Sequence, residues 1–435
     1  MKDLYAYIDS RRKEAVEFLR KLISFDSTFQ EQGIYGKEGM VQQWLYEQLS
    51  DWGFEAILQE PENEKIKNLP DYNPGHQYEG RPNLIAIHRG KGGGKSILLN
   101  GHIDTVPLDD LEKWRYHPLS GTITDGKIYG RGSCDMKAGL AAMILAVKYL
   151  NDYGLTHAGD IIVESVVDEE GGGNGTLACV AEGYRADAAI VTEPTNLEIY
   201  CASRGVYLLE VEVIGRPSHA CFKWQGVNAI EKGMKIAVGL KELECEWLAK
   251  RYNPYLPSPT ITLGEIQGGI SAATVPGTCI MRFDIKYLPY EIDRKGIKKE
   301  VNGEEIKKEV ESYIDRICEG DEWLRKHPVR KNWYLSVMPH SIDTEHPILT
   351  TLGCAGKRVL GNEPYLSGLP SGADARHLQN TGRIPTVLFG PGDMQNAHSI
   401  DEWVSEQDYM DAVKILADTI YHWTNEQNNK GEDRK

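Results

Sequence analysis

The chain has 435 residues, of which 41% are hydrophobic and 26% are charged, a composition typical of a globular protein with two or three domains. Its formal net charge of -15 at pH 7 argues against nucleic acid and anionic membranes as partners. No stretch approaches the roughly 18 apolar residues of a membrane-spanning helix, so we expect no such helix.

The cysteines and the first residues indicate the cellular compartment to expect. Eight cysteines are scattered without a C-x-x-C pair, a pattern typical of reduced thiols and not of a disulfide framework. Residues 1–5 are charged and contain no apolar signal region. Together these features favour the cytoplasm.

The first 204 residues alternate between helical and strand-like patterns. Apolar residues recur at helical spacing over residues 3–24, and a second helical segment over residues 39–52 stops before Gly53. The polar residues 61–80 are predicted to form an exposed loop. Short strands are predicted at residues 84–87, 97–100, 161–167 and 188–191, and a buried helix at residues 138–150. This alternation predicts an α/β unit with a largely parallel sheet, whose sites form at the carboxyl ends of the strands.

The pattern changes near Arg204 and Gly205. Strands are predicted at residues 206–213, 260–265 and 279–285, and long helices at residues 228–250 and 297–318. Together they predict a separate α+β sandwich. After about residue 340 the α/β pattern returns, with a helix over 348–360 and a strand over 385–389. We therefore expect a domain made of residues 1–204 and 339–435, with a second domain, residues 205–338, inserted into it. A frayed tail is expected from Asn425.

Side chains that bind metal ions stand at the ends of the predicted strands. They are His102, Asp104, Asp135, Glu169, Glu170, Glu193 and, far downstream, His398. Histidines and carboxylates together suit zinc-like ions, and two such ions can share one carboxylate. Each motif alone has an ordinary alternative, such as a helix cap for Asp135 or a solvated turn for residues 169–173. Their common position favours a metal centre that activates water for hydrolysis.

Positions within this set suggest roles. Asp135 lies centrally in the ligand order, in a glycine-flanked turn, and is the candidate bridge between two ions. The other ligands would divide into two pairs, His102 with Glu193 and Glu170 with His398. Asp104 lies two residues after His102 and is expected to accept the second imidazole N–H. Because residues 171–173 are glycines, the chain can turn so that Glu170 binds metal while Glu169 acts as general base.

These segments resemble the M20 family of metallopeptidases, the group of acetylornithine deacetylase, succinyl-diaminopimelate desuccinylase, aminoacylases and glutamate carboxypeptidases. The matching motifs occur in the family's order over nearly the whole chain. They are residues 100–107 (NGHIDTVP), 129–137 (YGRGSCDMK), 167–172 (VDEEGG), 192–195 (TEPT) and 397–402 (AHSIDE).

The resemblance implies a fold, a cofactor and a partner. The fold is a zinc-dependent exopeptidase-like catalytic domain with an inserted lid and dimerisation domain. The cofactor is two zinc ions per chain, for which cobalt can substitute, and a cis peptide is implied after Asp135. His219, in residues 215–220 (GRPSHA), matches a histidine that reaches into the partner's active site. A homodimer through the lid domain is thus implied, with His219 stabilising the oxyanion of the reaction.

Substrate-binding residues follow the family less closely. Arg376 resembles an arginine that binds the substrate carboxylate in bidentate fashion, although a surface ion pair is an alternative. Relatives usually carry Asp-Ile-Arg where this chain has Asp284-Ile285-Lys286, and an asparagine where it has Ala273. Lys286 is then a weaker clamp, because an ammonium group is a point charge and not a planar fork.

The expected function is that of a di-zinc amidohydrolase, which removes an acetyl, succinyl or formyl group from a small N-acyl amino acid or amine. A metallo-dipeptidase or carboxypeptidase is an alternative, and the missing lid arginine favours a further one, deformylation of an aminopyrimidine. A catalytically silent, metal-binding dimeric scaffold belongs to another class. It would require a missing base or ligand, whereas all these positions are filled.

Overall fold

A computed structural model describes residues 1–427 of the protein. Its α-helices are α1 (Lys2–Ser10), α2 (Arg12–Ser24), α3 (Gly39–Asp51), α4 (Asn63–Ile66), α5 (Lys137–Asp152), α6 (Asn174–Glu182), α7 (Ala229–Lys250), α8 (Gly303–Glu319), α9 (Glu322–Lys326), α10 (Pro347–Leu360) and α11 (Glu406–Asn425). Its strands are β1 (Phe29–Gln30), β2 (Tyr35–Gly36), β3 (Glu55–Gln59), β4 (Asn83–His88), β5 (Ile97–His102), β6 (Thr122–Thr124), β7 (Lys127–Tyr129), β8 (Ile161–Val166), β9 (Ala188–Val191), β10 (Ile199–Ser203), β11 (Gly205–Ile214), β12 (Ser218–His219), β13 (Thr260–Gly268), β14 (Thr274–Val275), β15 (Thr278–Tyr287), β16 (Tyr290–Ile292), β17 (Lys298–Glu300), β18 (Arg330–Val337), β19 (His340–Ser341), β20 (Leu366–Leu369), β21 (Thr386–Leu388) and β22 (Trp403–Ser405).

The chain forms two compact units. The first contains Met1–Cys201, Ser341–Gly368 and the chain from Ala373 onwards, and the second contains Ala202–His340 with Leu369–Gly372. The predicted boundaries, 204/205 and 338/339, fall close to these limits. The short return of residues 369–372 to the second unit has no counterpart in the prediction.

The main sheet of the first unit has the strand order β19-β10-β21-β9-β5-β8-β4-β3, with β20 paired to β10. Strands β21, β9, β5 and β8 run parallel to their neighbours within that group. Strands β10, β4 and β3 pair in antiparallel fashion. The prediction of a parallel sheet is therefore confirmed for its centre only. Because β9, β5 and β8 are parallel neighbours, their carboxyl ends meet at one edge of the sheet.

Helix α5 is the buried helix of the first unit, and it packs against α11 and the central strands. Its sequence is rich in alanine and leucine, with one glycine near its beginning. A Cβ at that position, Gly139, would lie 1.8 Å from the carbonyl oxygen of Thr192. Glycine therefore lets α5 approach the end of β9 closely, directly beside Glu193.

The second unit contains an antiparallel sheet of strand order β13-β15-β11-β18. Helices α7 and α8 pack on its apolar face. The buried residues of this core include Leu209, Val211, Leu240, Phe283, Ile285 and Ile314. The other face alternates with it in burial, as period-2 strands require. This arrangement is the predicted α+β sandwich.

Three local predictions need correction. The opening helix is broken into α1 and α2, because Arg11 leaves helical geometry (φ -96°, ψ 5°). The charged helix predicted from residue 297 begins only at Gly303. The Asn302 side chain caps it by accepting the Glu304 N–H, and the preceding residues form β17, paired with β16. Residues 61–80 are not simply an exposed loop, because they include α4 and the buried side chains of His76 and Tyr78.

Residues 425 and 426, at the predicted start of the tail, still make regular backbone contacts. Helix α11 ends at Asn425, and the Lys95 N–H donates to the Glu426 carbonyl. The expectation of a frayed tail otherwise concerns residues 428–435, which lie outside the described residues. Within residues 1–427, no helix combines the length and the apolar character needed to cross a membrane.

Two histidines of the first unit share a hydrogen bond at the edge of the sheet opposite the predicted metal ligands, since His88 pairs with the start of β8 and His102 with its end. His88 Nδ1 lies 2.7 Å from His157 Nε2, and His157 Nδ1 donates to the Gly159 carbonyl at 2.7 Å. His157 Nε2 must then accept, so His88 donates at Nδ1 and its Nε2 accepts from Asn151 at 2.9 Å. Every ring nitrogen has a partner when both rings are neutral. Burial, and then the charge of His157, lower the pKa of His88.

The His88 pair predicts a loss of stability in mild acid. The folded pKa of His88 lies below the unfolded value of about 6.5, so the unfolded chain takes up a proton first as the pH falls. The free energy of unfolding of the wild type should therefore decrease below that pH. The free energy of unfolding of His88→Gln should decrease less. Urea unfolding at several pH values measures this, with His117→Gln, at an exposed histidine, as the matched control. Equal pH slopes for wild type and His88→Gln would contradict the prediction.

Candidate metal centre

The edge of the sheet where β9, β5 and β8 end carries the predicted ligands. His102 is the last residue of β5, Glu170 follows β8, and Glu193 follows β9. Asp135 lies just before the first turn of α5, which packs on these strands. The parallel order of the strands thus brings together residues that are far apart in sequence.

Asp135 lies between two histidines. Its Oδ1 is 3.0 Å from His102 Nε2, and its Oδ2 is 3.5 Å from His398 Nε2. His398 Nε2 also lies 2.9 Å from Glu170 Oε1. One ligand atom from each of His102, Asp135 and Glu170 lies within 4.8 Å of the others. The two oxygens of one carboxylate therefore face different histidines, as a bridging role requires.

The buried acids of this cluster repel one another. Burial, with the charge of Asp135, raises the pKa of Glu193 to about 8. Burial also raises the pKa of Glu170 to about 7, although its hydrogen bond with His398 acts in the opposite direction. Burial by itself would lower the pKa of His102, but its hydrogen bond with Asp135 and the charges of Asp104 and Glu193 raise it. The cluster has an excess of negative charge at close range.

This donor set fits divalent metal ions. The side chains offer imidazole nitrogens and carboxylate oxygens, which are zinc ligands, and a cation would offset the mutual repulsion of the acids. The side chains able to hold such ions are His102, Asp135, Glu170, Glu193 and His398.

Contrary to the prediction, the Asp104 carboxylate does not accept the second imidazole N–H of His102. His102 Nδ1 donates to the main-chain carbonyl of Asp104 at 2.9 Å, while the Asp104 carboxylate is 3.6 Å away. The carboxylate instead accepts the backbone N–H groups of Glu169 and Glu170, at 3.2 and 3.0 Å. The imidazole is thus oriented by a carbonyl, and the Asp104 side chain fixes the backbone of the two glutamates.

Glu402 is a residue of the site to which the sequence pattern assigned no role. Its buried carboxylate accepts the N–H groups of Gly132, Cys134 and Asp135 at 2.9–3.1 Å and an Arg131 Nη1–H at 3.0 Å. It therefore holds the turn that presents Asp135. An acid within the last motif, four residues after His398, was the available signal. The following peptide bond, Asp135–Met136, is cis, as the resemblance implied.

Arg376 does not present a free guanidinium to a substrate. It is buried, with Nε 2.9 Å from Asp71 Oδ2, Nη2 2.9 Å from the Gly172 carbonyl oxygen and Nη1 3.5 Å from Asp374 Oδ1. These contacts engage its fork, so the structure argues against the predicted bidentate grip on a substrate carboxylate. The structure does contain an ion pair, but it is buried and not on the surface as the alternative had it.

His219 and Lys286 belong to the second unit. His219 is exposed on β12, which pairs with β14, and its Nδ1 accepts the Cys221 N–H at 3.2 Å. Lys286 lies on β15 and forms an ion pair of 2.9 Å with Asp284. Their predicted roles in oxyanion stabilisation and substrate binding remain predictions.

Comparisons with known proteins identify the family of this chain. Residues 98–422 match peptidase family M20/M25/M40. The chain belongs to this family. N-formyl-4-amino-5-aminomethyl-2-methylpyrimidine deformylase of Halalkalibacterium halodurans is 33% identical over 80% of this chain and 84% of its own. The Bacillus subtilis protein of that name is 29% identical over 96% of both chains. Acetylornithine deacetylase of Myxococcus xanthus is 30% identical over 78% of this chain and 84% of its own.

Solved structures show the same fold at lower identity. The di-peptidase Dug1p of Saccharomyces cerevisiae superposes with a TM-score of 0.75 at 16% identity, over 98% of this chain and 99% of its own. The YXEP protein of Bacillus subtilis, described as a dinuclear metal-binding M20 peptidase, has a TM-score of 0.63 at 15% identity, over 96% and 99% of the chains. With the family established, the protein is a metal-dependent amide hydrolase of α/β fold.

Replacing Glu402 should weaken metal binding without removing a ligand. In Glu402→Gln, an amide N–H would face the N–H groups that the carboxylate now accepts, so the Asp135 turn would loosen. Partners that orient metal ligands typically contribute about 10- to 100-fold in affinity, and a loss of that size is expected. Competition with a metal chelator measures it. Glu406→Gln, which removes the charge of a carboxylate that accepts from Arg12, is the matched control. Unchanged affinity in Glu402→Gln would contradict the prediction.

Proposed function

We propose that this enzyme removes the formyl group from a small N-formyl amine such as N-formyl-4-amino-5-aminomethyl-2-methylpyrimidine, with two zinc ions per chain. The observation that carries the proposal is the engagement of Arg376 by Asp71, Asp374 and the Gly172 carbonyl. An aminopyrimidine has no carboxylate and does not require a free arginine. Two relatives with this activity in their names support the same substrate class, one of them over 96% of both chains.

Five residues would hold the ions. Asp135 would contribute one oxygen to each, with His102 and Glu193 at the first and Glu170 and His398 at the second. The two Asp135 oxygens face different histidines, His102 and His398, which supports assigning these histidines to different ions. Bound zinc, or cobalt in its place, lowers the pKa of a water molecule to about 7.

Glu169 is the proposed general base. Burial, together with the nearby charges of Glu193, Asp374 and Glu170, raises its pKa, which is the direction that makes a carboxylate a better proton acceptor. It would take the proton from water and return it to the leaving amine nitrogen. The hydrogen bonds from its own N–H and that of Glu170 to Asp104 fix the backbone from which it acts. His219 of a second copy would donate a hydrogen bond to the substrate oxyanion.

A second candidate function is deacetylation of an N-acetyl amino acid. The 30% identity with acetylornithine deacetylase favours it. N-acetylornithine carries a carboxylate, however, and Arg376 is already engaged within the chain. A formylated amine therefore fits the site better than an N-acetyl amino acid or a dipeptide. The silent scaffold has no support, because the base and the ligand residues are all present.

Steady-state assays test the substrate and the base together. We expect the zinc-loaded protein to hydrolyse the N-formyl aminomethylpyrimidine with a higher kcat/KM than N-acetyl-L-ornithine, N-succinyl amino acids or dipeptides. Glu169→Gln should lower kcat by at least about 100-fold and retain two ions per chain by elemental analysis. Glu170→Gln should lose metal as well as activity, which separates a ligand from the base. Preference for N-acetyl-L-ornithine would overturn the substrate, and wild-type activity in Glu169→Gln would overturn the mechanism.

We also propose a homodimer formed through the second unit. Strand β13 is the edge of its sheet, with Leu263 and Ile266 exposed, and unpaired edges are templates for another strand. Helix α7 exposes Met234, Val238 and Leu248 along one side. A second copy would bury both surfaces. The reducing cytoplasm is the proposed compartment, since Cys221, Cys245 and Cys354 are exposed free thiols.

A charge on this surface should dissociate the dimer. Val238→Glu places a carboxylate where an apolar contact is proposed, so light scattering after gel filtration should report a monomer. If His219 acts across the dimer, kcat should fall in the same variant. Ile297→Glu, at an equally exposed apolar residue outside these surfaces, is the matched control. A wild-type monomer, or a Val238→Glu dimer, would contradict the proposal.

A further inference from the structure

The turn that carries Glu169 and Glu170 has little stiffness of its own. It continues into three glycines, residues 171–173, which restrict the backbone less than any other residue type. It begins with Asp168, which has a φ of 69°, a conformation that a non-glycine residue adopts only when other contacts hold it. The position of the proposed base therefore depends on what holds Asp168.

Asp168 is held by side chains that come from far away in the sequence. Tyr78 donates its hydroxyl hydrogen to Asp168 Oδ2 at 2.6 Å, and His76 Nδ1 is 2.8 Å from Asp168 Oδ1. The main-chain carbonyl of Asp168 accepts the N–H groups of Gly172 and Gly173, at 3.0 and 2.6 Å. Both the side chain and the backbone of this residue are thus fixed.

Neighbouring amides fix the direction of these hydrogen bonds. Asn174 Nδ2 donates to the Tyr78 hydroxyl oxygen at 2.7 Å, which leaves the Tyr78 hydrogen for Asp168. Asn73 Nδ2 lies 3.1 Å from His76 Nε2, so the imidazole accepts there and donates from Nδ1. Burial, and then the charge of Asp168, raise the pKa of Tyr78, so its hydroxyl keeps its proton.

The donors belong to one segment, residues 71–81, which is anchored at both ends. At one end Asp71 Oδ2 pairs with Arg376 Nε at 2.9 Å. At the other end Arg81 is buried, with Nε 2.9 Å and Nη2 2.7 Å from the Glu38 carboxylate. In between, Asn73 Nδ2 donates to the Gly171 carbonyl at 2.9 Å. The segment is therefore a fixed part of the first unit, built against the turn of Glu169.

Asp104 holds the same turn from the other side through the N–H groups of Glu169 and Glu170. Given the proposed role of Glu169 as base, on which this inference rests, we propose that His76 and Tyr78 are positioning residues for catalysis. Through Asp168 they set the direction in which the Glu169 carboxylate points. They need touch neither the ions nor the substrate.

The test compares two tyrosines of this part of the chain. Tyr78→Phe removes the donor to Asp168, while Tyr72→Phe removes a hydroxyl that donates to Asn63, away from the turn. With the N-formyl aminomethylpyrimidine and zinc-loaded enzyme, Tyr78→Phe should lower kcat about tenfold, with KM and metal content unchanged. Tyr72→Phe should match the wild type. The inference is overturned if a folded Tyr78→Phe keeps its kcat, or if its loss of kcat is explained entirely by lost metal.

Two substitutions of His76 give a second comparison in case Tyr78→Phe does not fold. Asparagine places an amide N–H near the position of Nδ1, and glutamine places it near Nε2. His76→Asn should therefore retain more of the wild-type kcat than His76→Gln. If both variants have equal kcat, the hydrogen bond to Asp168 does not position the base.

Hydrogen exchange provides a measurement that does not depend on activity. The amides of Glu169 and Glu170 should exchange about fivefold faster in Tyr78→Phe than in Tyr72→Phe, because their hydrogen bonds to Asp104 loosen. This separates the two proposals. If Glu169→Gln is fully active while Tyr78→Phe speeds exchange, the base assignment fails and the fixation of the turn stands. Unchanged exchange in Tyr78→Phe overturns the fixation itself.

Discussion

Negative charge crowded at one edge of the central sheet is the constraint on which the first unit depends. Burial raises the pKa of Glu170, Glu193 and Asp104. A neighbouring acid raises each pKa further, Asp135 for the two glutamates and Asp168 for Asp104. His102 and His398 offset part of this repulsion by contact with Asp135 and Glu170. A dication would offset far more of it, so a site this costly to charge suits metal ions better than ion pairs alone.

The acids of the centre have two distinct tasks. Some would offer oxygens to the proposed ions, whereas Asp104 and Glu402 accept backbone N–H groups next to a proposed ligand. Asp168 also belongs with these anchoring acids, because its carboxylate accepts hydrogen bonds from His76 and Tyr78. The turn of Asp135 and the turn of Glu169 and Glu170 are thus each fixed by a carboxylate from another part of the chain. This division explains why the motifs contain more acids than two ions require.

The sequence predicted what local patterns determine. Strand ends at His102 and near Glu193 follow from periodicity, and parallel strand order then brings them together. Contacts between distant residues were not predictable in this way. His76 and Asp168 are 92 residues apart, and Glu402 and Cys134 are 268 apart, so no spacing rule connects them. The polar residues 61–80 look like a solvated loop for the same reason, because their buried partners lie elsewhere in the chain.

Arg376 shows how the structure of the centre bears on the choice of substrate. Its partner Asp71 begins the segment that also contributes His76 and Tyr78, so freeing the guanidinium for a substrate carboxylate would release that segment at one end. Its contact with the Gly172 carbonyl would be lost at the same time, next to the turn of the proposed base. An aminopyrimidine does not meet this obstacle, because it carries no carboxylate and needs no arginine.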